Sequence, residues 1–264
     1  MGADIALVET PHFRVLGACV ETRRLLLDND LADAIVAELA PLGLIPDVAA
    51  FERLFVRTVE GSAPTPGLAW SSFYRNTLLR LRAPSDDAGD GGSVATFARI
   101  YAEAVRLVVG SSALDVGCCF GFLSILLAEQ RPDMLVLGSD LSAGTVALAG
   151  RVGGSLRSDA RFLAADAARL PFADRAVHTV TVLHLLEHLP EATGSAVVSE
   201  ALRVAARRVV IAVPLEDEPN PAYGHVRTFR EAGLRALGEA TGWRSAVWLR
   251  DGGWLCLDRP DDRG

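Results

Sequence analysis

At 264 residues, half of them apolar, the chain can bury a full core, either as one large α/β domain or as a domain with an appended piece. A net charge of −7 excludes a protein built to coat nucleic acid, which needs a basic surface to neutralise phosphates. All 26 basic residues are arginine, so neither a Schiff-base lysine nor a lysine general base is available.

Taken in chain order, Met1 to Thr10 shows neither the basic nor the apolar region of a secretory leader. Residues 11–27 read as extended structure around a polar turn, with Phe13-Arg14-Val15-Leu16 and Arg24-Leu25-Leu26-Leu27 as its apolar runs. Asp28-Asn29-Asp30 looks like a capping cluster for a helix over 31–40, stopped by Pro41. Two further helices are expected, over 48–59 and over 68–81, the second carrying Trp70, Phe73 and Tyr74. At this i, i+3, i+4 spacing the aromatics are either the core face of the helix or a lid that offers flat faces, Trp70 and Tyr74 first, to a sugar ring. Residues 83–93, rich in proline, glycine and acid, form a linker. It divides an N-terminal, mainly helical cap or substrate-recognition region, 1–90, from a second domain, 91–264.

Beyond the linker strand and helix alternate. A helix over 94–109 leads into a strand at 113–116 and a helix after Gly121. Strands at 135–139, 161–165, 177–183 and 208–213 follow, with helices at 143–151 and 190–206 between them. A helix over 230–241 and strands at 244–249 and 254–257 close the chain. The turn at Gly252-Gly253 is so short that the last two strands must be antiparallel. The expected fold is therefore a Rossmann-like, doubly wound, mostly parallel seven-stranded sheet with an antiparallel C-terminal strand, binding ligands at the carboxyl ends of its strands. Residues 107–128 carry one charge, Asp115, over a length that could cross a bilayer, but their glycines and the central acid favour a buried strand and helix, without membrane insertion. The four cysteines, Cys19, Cys118, Cys119 and Cys256, form no C-x-x-C, which speaks against cysteine zinc sites and fits a reduced, cytoplasmic protein.

Each of the first four strands of the alternating region ends on a polar group: Asp115 with its glycine turn, Asp140, Asp166 and His184. One strand-end acid is commonly just a helix cap; four in register around a glycine turn point to a ligand. Asp140 stands about where a βαβ unit presents a carboxylate to a ribose diol. A dinucleotide fingerprint needs G-x-G-x-x-G, and Cys119 occupies its middle glycine, so an adenosyl ligand without phosphates suits the turn better.

The stretch Leu114-Asp115-Val116-Gly117-Cys118-Cys119-Phe120-Gly121 resembles the first motif of class I S-adenosylmethionine (SAM) methyltransferases, with Cys119 in place of the usual glycine. Gly138-Ser139-Asp140-Leu141-Ser142, Asp166-Ala167 with Leu170-Pro171-Phe172, and Leu183-His184-Leu185-Leu186-Glu187-His188-Leu189 resemble the later motifs, over about 95–258. The resemblance implies SAM as cofactor, with Gly117 and Gly121 at its methionine part, Cys119 narrowing the pocket near that end, Asp140 at the ribose, Asp166 and Ala167 at the adenine edge, Phe120 and Leu141 flanking it, and Asp115, Cys118 and His184 also among the cofactor-binding residues. The cysteine pair, Phe73-Tyr74-Arg75-Asn76, the segment from Pro214 to Phe229 and Gly252-Gly253-Trp254-Leu255 look similar to methyltransferases associated with mycofactocin, a peptide-derived redox cofactor. That closer resemblance implies O-methylation of a glucose in an oligosaccharide tail, hence a glycosylated small-molecule acceptor.

A sugar hydroxyl is a weak nucleophile and calls for a general base. His225, in the loop after the fifth strand of this region, is the first candidate, although it could instead pack that loop; His184 could face either SAM or the acceptor. His188 reads as a buttress of the following helix, an ambiguity that Glu187 shares, and no role falls to His12 or His178. Glu216, Asp217 and Glu218 are either solvated loop or ligands for sugar hydroxyls or a divalent cation; no metal site is assigned. Tyr223 and Arg227 are candidates for acceptor contact, Arg227 alternatively pairing with the acidic run. A quinone-like or carboxylate acceptor, and a SAM-binding scaffold without turnover, are the competing readings.

Overall fold

Phe13 and Val15 are buried while Arg14 and Leu16 are exposed, the period-two pattern of a strand with one covered face. In the computed structural model, which describes residues 7–16, 19–22, 27–83 and 92–260, this strand (β2, Phe13–Leu16) lies between β1 (Leu7–Glu9) and β3 (Cys19–Thr22) in an antiparallel three-stranded sheet. Residues 24–26, read from sequence as extended, and most of the 83–93 linker fall outside the described residues. Helices α1 (Leu31–Leu39), α2 (Val48–Glu60), α3 (Pro66–Leu81) and α4 (Ser93–Leu107) follow, α3 starting with Pro66 behind its Thr65 cap. The chain folds as two units, one running to Arg99 and including Pro221–Gly224, the other holding Ile100–Asn220 and the rest from His225.

In the first unit Trp70 and Phe73 meet Phe55, and Tyr74 meets Phe73, in a cluster of edge-on and tilted rings with centroids 5.5–6.4 Å apart. Asp28-Asn29-Asp30 does more than precede α1. No side chain caps α1; the buried Asp28 pairs with Arg80 at 2.8 Å, and Asp30 Oδ1 accepts the amide of Val94 at 2.8 Å. Asp30 thus satisfies an amide in the first turn of α4, some sixty residues along the chain, rather than one of its own helix.

The second unit is built on β4 (Ser112–Val116), all five residues of which are buried, as expected of a strand covered on both faces. With β5 (Leu135–Asp140), β6 (Arg161–Ala164), β7 (Val177–Leu183), β8 (Ala205–Val213), β9 (Arg244–Leu249) and β10 (Gly253–Asp258) it forms a seven-stranded sheet in the order β6-β5-β4-β7-β8-β10-β9. The first five of these pair in parallel, and β10 runs antiparallel to both β8 and β9. Helices α5 (Phe122–Gln130), α6 (Ala143–Ser155), α7 (Glu191–Val204) and α8 (Glu231–Ala240) complete the alternation. Leu114, Val180, Val182, Val209, Ile211 and Leu255 bring one face of the sheet into a common apolar core. The stretch 107–128 resolves into the end of α4, β4 and the buried α5, and no helix among the described residues is long and apolar enough to cross a membrane. His178 spends its ring on a bond to Ser112 Oγ at 2.8 Å, and His12 pairs with Glu38. At the C-terminal edge Trp248 and Trp254 face each other across β9 and β10, their indoles stacked within 3° of parallel.

Candidate active site

Strand order reverses between β4 and β7, leaving a crevice at their carboxyl ends where ligands bind in doubly wound sheets. The turn after β4 is held from below. The amides of Gly117 and Cys118 both donate to the carbonyl of Ser139, at 2.8 and 2.9 Å, and that of Gly121 returns to the carbonyl of Cys118 at 2.7 Å. Cys119 donates its amide to Asp140 Oδ2 at 3.0 Å, while Oδ1 takes the amide of Ser142 at 2.9 Å. Asp140 therefore ties the turn after β4 to the start of α6.

Three residues of this turn are left-handed: Gly117 at φ 74°, Cys119 at 47° and Gly121 at 71°. Glycine is needed at Gly121 on two counts, because a Cβ there would run into the Phe162 ring. Cys119 accepts the same backbone region with a side chain, at a steric cost.

Asp115, assigned to the ligand from sequence, lies inside the protein. Its oxygens accept the hydroxyls of Ser124 and Thr181, both at 2.9 Å, lashing β4 to α5 and β7. Burial pushes its carboxyl up to about 6, against the pull of those two hydroxyls. Cys118 is buried as well, and burial first, then the neighbouring acids, raise its thiol. Tyr101 of α4 was not legible as a site residue. Burial and the nearby Asp115, Cys119 and Cys118 raise its phenol, so it adjoins the floor of the turn.

Phe120 sits 6.0 Å from Phe122, and Leu141, beside Asp140, is 78% exposed. Asp166, two residues past β6, is exposed and caps its own turn by accepting the amide of Ala168 at 2.9 Å; Ala167 is half-buried. The edge of the sheet thus carries Asp166, Asp140, the glycine turn and His184 in spatial order.

His184 is left-handed at φ 50°, donates its amide to the carbonyl of Ala212 at 2.8 Å, and turns its ring toward Glu187, with Nδ1 3.3 Å from Oε1. The loop after β8 is stitched to the 186–188 turn. Val226 donates its amide to the carbonyl of Glu187 at 2.9 Å, and Arg227 Nε donates to that of Leu186 at 2.9 Å. Burial lowers the Arg227 guanidinium, which lies 4.6 Å over the Phe229 ring; it serves the loop rather than standing open to an acceptor. This stitching brings His225 next to His188, ring centroids 4.8 Å apart, so His188, read from sequence as a buttress of the following helix, lies beside the candidate base. Glu216 holds His225 Nδ1 at 2.7 Å, while Asp217 reaches the exposed Arg230.

Trp70 and Tyr74 lie in the first unit. They are 6% and 0% exposed in the aromatic core of the first unit, where Trp70 Nε1 donates to Glu60 at 3.2 Å, so their spacing is core spacing. Tyr223 also belongs to the first unit and donates its hydroxyl to Asp33 at 2.8 Å.

Residues 113–208 match the family described as a methyltransferase domain. Among curated proteins, the chain is 31% identical over 156 residues to the demethylmenaquinone methyltransferase of Renibacterium salmoninarum, covering 58% of this chain and 61% of that protein. It is 33% identical over 129 residues to the enzyme of the same name from Thermus thermophilus, covering 47% of this chain and 57% of that one. The chain therefore spans about three fifths of the length of the curated relatives it matches. Among solved structures it shares its fold with magnesium protoporphyrin IX methyltransferase from Synechocystis PCC 6803 with bound SAH, at TM-score 0.53 and 21% identity over 70% of this chain and 94% of that one. Residues 113–208 thus resemble a methyltransferase domain, carried on a Rossmann-like sheet of the fold seen in that structure.

Proposed function

We propose that this methyltransferase domain transfers the methyl group of SAM to a hydroxyl of a glycosylated small molecule, a sugar in the oligosaccharide tail of a peptide-derived redox cofactor such as mycofactocin. The observation that carries the methyl-donor half of this reading is the turn hung on Asp140. Four of its five amides are spent inside the protein, which leaves no cradle for a pyrophosphate. Each oxygen of Asp140 holds one amide and keeps lone-pair capacity for a diol. An adenosyl group with a ribose and no phosphate fits that set, with Leu141 and Phe120 offering apolar surface. When bound, SAM supplies a methyl group already made electrophilic by its sulfonium.

The chain's own work is to place the nucleophile and remove its proton. Glu216 fixes the ring of His225 through Nδ1, leaving Nε2 as the nitrogen that takes a hydroxyl proton. The resulting imidazolium lies against a carboxylate that stabilises it. This arrangement supports an oxygen acceptor of low acidity. Residues 1–90, outside the matched domain, supply acceptor recognition in this reading. A quinone-like acceptor is the second reading, favoured by the name that both curated relatives carry.

Incubation with isotopically labelled SAM and either a glucosylated or a quinone-type acceptor, followed by mass spectrometry, separates the two. Label on the sugar oxygen is the expected outcome, and label on the quinone alone overturns the acceptor assignment. Asp140→Ala is expected to weaken SAM binding about tenfold or more by calorimetry, at a cost of about 1.4 kcal/mol or greater; unchanged affinity would reject the ribose assignment.

A further inference from the structure

Glu187, in the turn that adjoins His225, is fully buried, at 0% exposure. Among the described residues neither of its carboxylate oxygens meets a hydrogen-bond donor. His184 Nδ1 approaches to 3.3 Å, and Arg227 feels the charge of Glu187 but sends its Nε–H to the carbonyl of Leu186. A carboxylate in that position needs a cation or a proton, since burying it unsatisfied is costly. Two further imidazoles, those of His188 and His225, stand beside it. Ligand atoms of Glu187, His188 and His225 all lie within 4.8 Å of one another.

We propose that Glu187, His188 and His225 bind a single divalent transition-metal ion of the zinc class. Two imidazole nitrogens and one carboxylate are a ligand set that zinc takes, with a further position left open for an oxygen ligand. Ligands at about 2 Å from a tetrahedral ion stand roughly 3.3 Å apart, so the site closes by a small movement. His188, which is exposed, is placed to make it. Glu216 already supplies the outer partner that zinc histidines characteristically have, a carboxylate on the ring nitrogen that does not ligate. With Nδ1 of His225 committed to Glu216, Nε2 is the nitrogen that would ligate. On the reading proposed above, that is also the nitrogen that accepts the acceptor's proton. An occupied site would therefore hold His225 from its proton; this consequence rests on that reading, whereas metal binding does not.

The test is calorimetric titration of zinc into the full chain after chelator treatment, with SAM binding measured in parallel. One ion per chain with a micromolar or tighter Kd is expected. His188→Ala and His225→Ala should each weaken it about tenfold or more, and Glu216→Gln about tenfold. The site should persist in Cys119→Ser, which removes the exposed thiol of the turn. Absence of saturable zinc binding in the micromolar range overturns the proposal. So does binding that survives both histidine substitutions or vanishes with Cys119→Ser. His188→Ala lies at an exposed position and keeps the test decisive if changes at Glu187 disturb folding. Loss of SAM binding alongside intact zinc binding would count against the proposed function and leave the metal site standing.

Discussion

Cys119 holds a left-handed backbone at φ 47° and nevertheless donates its amide to Asp140. A non-glycine residue pays about 1–2 kcal/mol in that region, while glycine costs about 0.5–1 kcal/mol more chain entropy on folding. Cys119→Gly is therefore expected to stabilise the protein by about 0.5–1 kcal/mol, read from urea unfolding, without weakening SAM binding. Asp115 gives a second measurable effect. Burial pushes its carboxyl up to about 6 in the folded protein, above the ordinary carboxylate value of about 3.9, so the folded state binds the extra proton between those values. Stability from this group is fully present below about pH 4 and is lost as pH rises through about 6. Asp115→Asn removes that dependence. Unfolding free energies measured from pH 4 to 7 should show wild type losing ground to the variant, by a total on the order of 3 kcal/mol, with the difference constant above pH 7. A parallel pair of profiles would refute the assignment.

At the scale of elements, the periodic stretches were legible because their burial is local. The strands around β4 and the helices between them follow from runs and spacings within ten residues or so. The glycine turn was legible for the same reason, since φ above zero at Gly117 and Gly121 is a demand of the backbone itself. What escaped depends on partners distant in sequence. Asp30 caps α4 instead of α1, and nothing near Asp30 announces Val94. His188 enters the site because the loop after β8 returns to the 186–188 turn through Val226 and Arg227, a stitch made by backbone groups that carry no residue signature. Trp70 and Tyr74 had two readings at one spacing, and only packing against Phe55 and Phe73 distinguishes core from lid. The close fit of α5 and α6 against β5 and β6 makes its own prediction. Gly121→Ala would press a methyl into the Phe162 ring at a left-handed position, and a loss of about 1–3 kcal/mol is expected from thermal or urea unfolding.

Over the whole molecule, a ligand that binds only the folded chain raises its stability by mass action. SAM at a hundredfold excess over its Kd should add about 2.7 kcal/mol, seen as a higher melting temperature, and NAD at the same concentration should add almost nothing. Equal shifts with both would mean that the turn accepts a pyrophosphate after all. Most of the second unit's architecture, including the antiparallel return, was legible from 264 residues in order; the division of labour was less so, because Pro221–Gly224 joins the first unit from far along the chain. The stacked indoles of Trp248 and Trp254 have an optical consequence. Two parallel chromophores at a centroid separation of 5.8 Å couple their transitions, and the coupling exists only when β9 and β10 have paired. An exciton couplet in the circular dichroism spectrum, lost in Trp248→Phe, would then act as a built-in beacon for the moment the closing hairpin forms.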